Sequence, residues 1–165
     1  MIFKFLSKNF YISFLIVASI YFLDRLTKIY VIQLDKNNLG SDIFNSAYLN
    51  IILIWNKGIA FGLFSFNESH LYNILSLIIS IIVIILIIMA LKSQGFKRYS
   101  LLMIVGGALG NLHDRIFFNA VPDFIDFHVG NFHWFIFNVS DIFITLGVIS
   151  MIVLELFDNK NEKTK

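Results

Sequence analysis

The sequence predicts an α-helical integral membrane protein with four transmembrane helices and a small extracytoplasmic β-sheet lying on the membrane surface. Three observations carry this. Hydrophobic residues make up 58% of the 165-residue chain, against roughly 45–50% in soluble domains, and the mean hydropathy is +0.78. Four apolar runs approach or exceed the roughly 20 residues that cross a hydrocarbon core. Between the first two runs lies a stretch that is apolar but broken by Asn and Gly, which suits strands better than a span. The length fits a single membrane domain over residues 1–165. Cysteine is absent, which excludes disulfides, thiolate metal sites and a Cys nucleophile. The net charge is only +2, and no Lys/Arg run with interleaved aromatics points to nucleic acid.

The first helix is expected over about 10–32. It is long for a signal-peptide core and no small-x-small cleavage site closes it, so it reads as an uncleaved span. Asp24 and Lys28 lie four apart on one face. They form a local ion pair, or they brace a polar cluster elsewhere; Arg25 is expected to snorkel to the interface. Residues 33–69 then leave the membrane. Within them, Tyr48–Trp55 and Ile59–Phe66 flank Asn56-Lys57-Gly58, a hairpin-type turn signal. An open sheet edge cannot face lipid, so the sheet of about 48–66 belongs at the surface, with Trp55 at headgroup level.

The second helix, about 71–91, is nearly unbroken Ile and Leu and serves packing. The third, about 99–118, carries Gly106 and Gly110 at the GxxxG spacing that lets helices approach closely. Gly107, Asn111 and Asp114 share one of its faces. A link over residues 119–133 holds Pro122, Asp123, Asp126, His128 and His133. The fourth helix, about 134–157, is expected to carry Asn138 and Asp141 three apart, with Asp141 about two turns in. The N-terminus, the loop over 92–98 and the tail are rich in Lys and Arg, and the other two links are poor in them. Both termini are therefore expected in the cytoplasm and the links outside.

Charges within a span cost about 2.5–3.5 kcal/mol or more on insertion scales, so they face protein or water and are functional candidates by default. They concentrate in residues 106–144. A returning link would bring Asp123 and Asp141 together at the outer leaflet. Two adjacent carboxylates share a proton near neutral pH. One then takes a proton from water while the other polarises a carbonyl. That pair hydrolyses an amide without metal or cofactor. His113, His128 and His133, with Asp123 or Asp126, match no zinc signature, and Ser140 has no evident base. A small transporter or ion-coupling subunit is the rival reading, since intramembrane Asp, Asn and Arg also build proton relays. No inverted repeat supports it. A third possibility is a structural partner whose polar residues serve helix association.

Five pieces in order make the chain specific. They are Asp24-x-x-x-Lys28; Trp55-Asn56-Lys57-Gly58-Ile59-Ala60-Phe61-Gly62; the run from Gly106 to Arg115; Val121-Pro122-Asp123-Phe124-Ile125-Asp126-Phe127; and Phe137-Asn138-Val139-Ser140-Asp141. With these pieces the chain resembles the prokaryotic lipoprotein signal peptidases, the signal peptidase II family of membrane aspartyl proteases. The resemblance implies Asp123 and Asp141 as the catalytic pair, with Asp126 the rival to Asp123. It implies Asn56, Asn111, Arg115 and Asn138 along the substrate site. Asp114 becomes a supporting partner, or with Arg115 only caps and anchors the third helix. Asp24, Lys28, Gly58, Gly107 and Gly110 become structural support. The implied substrate is a bacterial prolipoprotein cut before its diacylglyceryl-modified cysteine, in the inner membrane among its lipids, with globomycin as an inhibitor of the same cleft. Ser140 stands where the family usually has Ala, and Pro122 where it has an aliphatic residue.

Overall fold

The computed structural model describes residues 8–38, 42–58 and 69–162. Its elements run α1 (Lys8–Asn37), β1 (Phe44–Asn45), β2 (Leu49–Asn56), α2 (Ser69–Lys92), α3 (Gly95–Phe118), β3 (Val121–Val129), β4 (Phe132–Phe137) and α4 (Val139–Glu162). Each of the four helices contains a window long and apolar enough to cross a membrane, as the sequence predicts.

The helix α3 is the hub. Half of its most apolar window is buried, against 22%, 17% and 11% for those of α1, α2 and α4. The other three turn broad apolar faces outward, including Leu26, Ile78, Ile85, Leu146 and Ile149. Such faces belong in lipid, where helices associate through close packing and not through hydrophobic gain. The small residues of α3 supply that closeness. Gly106 packs on Ile20 of α1, and Gly107 on the Ser140 carbonyl and Ile144 of α4. At Gly110 a Cβ would collide with the Ser140 side chain and the Asp24 carboxylate together, so this glycine sets how near α1 and α4 come to α3. At its far end α3 stops at Asn119, whose φ of 53° is left-handed, a conformation Asn tolerates at a helix terminus.

The strands form one antiparallel sheet in the order β1-β2-β3-β4. The expected strand at 48–55 is present as β2, but it pairs with β1 and β3. The second expected arm, 59–66, lies outside the described residues. The link expected over 119–133 is largely strand. Its Val, Phe and Ile residues favour a strand, which is buried over its first four residues, and Gly130 (φ 58°) provides the positive φ of the tight β3–β4 turn. The fourth helix begins at Val139 and not at Trp134. The aromatic run Phe132–Phe137 is β4, because aromatic residues favour strands as readily as they lengthen an apolar window. The first helix runs on to Asn37, past the expected end at Ile32.

Register decides which side chains of β3 share a face. Asn50 lies opposite Asp126 and Ile54 opposite Asp123. The irregularity between those pairs falls in β2, where three steps match two in β3. Alternation along β3 is therefore unbroken, and Asp123 and Asp126, three apart, point to opposite faces.

Candidate active site

The site is built where β3 and the start of α4 meet the polar face of α3. Asn138 occupies the position before the first residue of α4. Its Oδ1 accepts the Asp141 backbone N–H (3.1 Å), and the Asp141 carboxylate accepts the Asn138 backbone N–H (3.1 Å). This is a reciprocal capping box, with Asn and Asp in the usual Ser/Thr and Glu places. Asp141 thus lies in the first turn of α4, not two turns in. The same Asn138 donates through Nδ2 to Asp123 (2.6 Å) and to Asn111 Oδ1 (3.2 Å). One fully buried residue therefore holds both carboxylates, Asp123 through its side-chain amide and Asp141 through its backbone N–H.

Two more amides complete the cradle. Asn56 at the end of β2 donates to the other oxygen of Asp123 (2.9 Å). Its own Oδ1 accepts the Gly58 N–H (2.8 Å), and Arg115 donates to the Gly58 carbonyl (3.2 Å). Asn111 on α3 donates to Asp141 (2.8 Å). Lys28 donates to Asn111 Oδ1 (2.9 Å), which turns the amide so that its NH2 faces Asp141.

Behind Asn111 lies a buried ion network. Lys28 meets Asp24 (3.0 Å) and Asp114 (2.6 Å). Arg25 meets Asp24 (2.9 Å) and forks onto both oxygens of Asp114 (2.5 and 2.8 Å). Two cations and two carboxylates balance, as burial demands. Arg25 does not snorkel: it is 9% exposed and is the member of the network that residue-level reading misses. The signal was the pairing of Asp24-Arg25 and Lys28 with a second buried acid, Asp114. Asp24 also accepts the Ser140 N–H in the first turn of α4 (3.0 Å), a favourable place for a negative charge. The chain α1–α3–α4 is thereby closed by charge-assisted bonds.

Asp123, Asp141, Asn56, Asn111 and Arg115 line one cavity of ≈ 720 Å³ whose remaining wall is mostly apolar, including Ile144 and Ile149. Asp123, on the sheet, has its pKa pushed up to about 6 by burial first and by the charge of Asp141 second; the Asn56 and Asn138 bonds oppose the rise. A carboxyl that titrates near neutrality beside a second carboxylate can hold a proton and release it.

The remaining candidates lie elsewhere. Asp126 sits on the other face of β3, bonded to Asn50 (3.2 Å) and His133 (2.8 Å). His113 pairs with Tyr21 (2.8 Å). Ser140 Oγ is buried with no partner among the described residues, so none of them acts as a base on it.

Comparison with known proteins gives the family. The family model for signal peptidase (SPase) II matches residues 16–157. The chain belongs to the signal peptidase II family. It is 50% identical over 157 residues to the lipoprotein signal peptidase of Pelagibacter ubique, covering 95% of this chain and 94% of that one. It is 42% identical to that of Anaplasma phagocytophilum, covering 88% and 92%. A solved bacterial membrane enzyme, determined in meso at 2.3 Å, superposes with a TM-score of 0.74 at 31% identity over 93% of this chain and 92% of that one. As a member of the signal peptidase II family the chain is a peptidase that crosses the membrane several times.

Proposed function

We propose that this peptidase is an aspartic endopeptidase that removes the signal peptide from diacylglyceryl-modified bacterial prolipoproteins, cutting before the lipidated cysteine. The observation that carries the reading is the convergence of Asp123 and Asp141 on one cavity wall, both held by Asn138. Relatives named lipoprotein signal peptidases give the substrate class.

In this mechanism the pair enters with one proton between the two carboxylates. The ionised member takes a proton from water, and the water oxygen attacks the scissile carbonyl. The protonated member donates to that carbonyl oxygen as it becomes tetrahedral. Collapse of the intermediate returns a proton to the leaving amine. The amide cradle suits this cycle. Asn56, Asn111 and Asn138 orient the oxygens as neutral donors, so none of them locks either carboxylate permanently in its charged form. The apolar cavity wall suits a lipid-bearing substrate. The Lys/Arg-rich flanks favour cytoplasmic termini and a sheet at the outer leaflet of the inner membrane, where such a substrate presents its lipidated cysteine. A globomycin-type inhibitor is expected to occupy the same cavity.

The test is a gel-shift assay with a diacylglyceryl-modified prolipoprotein in detergent. Asp123→Asn and Asp141→Asn each abolish cleavage while helix content is unchanged. Should Asp126→Asn silence the protein and Asp123→Asn leave it active, the pair is wrongly assigned.

A further inference from the structure

We propose that Asp126, His128 and His133 form a binding site for a divalent transition-metal ion of the zinc, cobalt, nickel or copper type, on the β3–β4 hairpin and on the sheet face opposite Asp123. The three side chains each offer one ligand atom, and these atoms all lie within 4.8 Å of one another. Tetrahedral donors at about 2.0–2.1 Å from an ion stand roughly 3.3 Å apart, so small side-chain rotations close the cluster. Two imidazoles and a carboxylate suit borderline metals and not calcium or magnesium.

The backbone builds this face. Asp126 and His128, two apart on β3, point the same way. His128 lies opposite His133, and Asp126 opposite Ile136, with a register shift between the two pairs. Unshifted pairing would set Trp134 against His128. The extra residue is a bulge in β4 that re-aims the strand, and it brings His133 onto the face of Asp126. The imidazoles stack at 5.0 Å between ring centroids.

Two details point to a ligand. The Nδ1 of His128 is buried and has no partner among the described residues, an uncompensated cost that an ion in the cluster removes. Asp126 is 1% exposed and already oriented: Asn50 donates to one of its oxygens (3.2 Å) and His133 Nδ1 lies 2.8 Å from the same oxygen. Outer bonds of the Asn50 kind fix the direction of ligating carboxylates. His133 is exposed, so the ion has a way in. The ion's place is structural: it ties β3, which carries Asp123, to β4, which runs into Asn138.

The experiment uses the tag-free, full-length protein in detergent, titrated with Co(II) and followed by visible absorption, with Zn(II) as competitor. One Co(II) per chain is expected, displaced by Zn(II). Affinity falls at least about tenfold in His128→Gln and in His133→Gln, and in Asn50→Ala by about 10–100-fold. His113→Ala binds as the parent does. Circular dichroism establishes that each variant keeps its helix content. Absence of Co(II) absorption in the parent overturns the site, as does unchanged binding in a His128→Gln/His133→Gln double variant. These readouts do not depend on cleavage, so the site and the proposed peptidase chemistry stand or fall separately.

Discussion

Asp123 and Asp126 belong to one strand, are three residues apart and are both buried, yet the two faces of β3 give them opposite surroundings. On the first face the partners of Asp123 are neutral amides, Asn56 and Asn138, and a second carboxylate stands near. On the second face Asp126 has one amide, Asn50, and an imidazole that can carry charge or metal. The first set leaves a proton exchangeable. The second supplies the oriented carboxylate of the proposed metal site. Strand alternation alone thus sends two carboxyls three residues apart to different partners.

The sharpest way to break the comparison is to neutralise each acid. Asp123→Asn is expected to lower kcat by at least about 10³-fold, in the upper range for losing a positioned acid or base. Asp126→Asn should change it only a few-fold, measured by initial cleavage rates in detergent. Equal losses would mean that the two faces are not functionally distinct.

The next largest effect lies in the amides. Asn138→Ala removes the donor to Asp123 and half of the α4 capping box. It is expected to cost about 1–2 kcal/mol of stability and on the order of 10²-fold in kcat. Asn50→Ala removes the corresponding donor on the opposite face. Its cost is about 1 kcal/mol, with cleavage nearly unchanged. Thermal unfolding and initial rates on the same preparations separate the two.

A pH series sharpens the contrast further. The pKa of Asp123 in the folded chain is about 6, raised from 3.8. Its contribution to stability is therefore complete below the ordinary carboxylate range and is lost as pH rises through about 6. The parent should lose stability between pH 4 and 7 relative to Asp123→Asn, whose amide cannot ionise, and Asp123→Asn should be the more stable of the two at pH 7. A Tm difference that does not grow over that interval would show that burial and Asp141 do not raise the Asp123 pKa.

What could be read from the chain follows from how local each cause is. The four spans were legible because an unbroken Ile/Leu run such as residues 71–91 needs no partner to identify it. The sheet pairing was not, because Asn50 meets Asp126 across 76 positions and periodicity holds no such information. Residues 134–137 read as helix in the sequence because an aromatic run raises hydropathy whichever structure it adopts. The Asn138-x-x-Asp141 box, a start signal for α4, was present in the sequence and marks the boundary that hydropathy blurs. Asp123 and Asp126 were separated by resemblance alone; strand parity supplies the physical reason once β3 is known to be a strand. Arg25 reads as an interfacial cation in the sequence because its second acid, Asp114, lies 89 positions away.

The smallest expected effect tests whether polarity beside the carboxylates matters when it is bonded to neither. Ser140 precedes Asp141, is fully buried, and its Oγ has no partner among the described residues. Its backbone N–H is what Asp24 holds (3.0 Å), and any residue but proline supplies that group. Ala gives up the Oγ that packs over Gly110, but it discards an unsatisfied hydroxyl, whose burial costs about 1–3 kcal/mol. Ser140→Ala should therefore leave kcat unchanged and raise Tm slightly. A marked fall in rate would show instead that the hydroxyl acts on the Asp123–Asp141 pair, and that this face of β3 depends on more than its three amides.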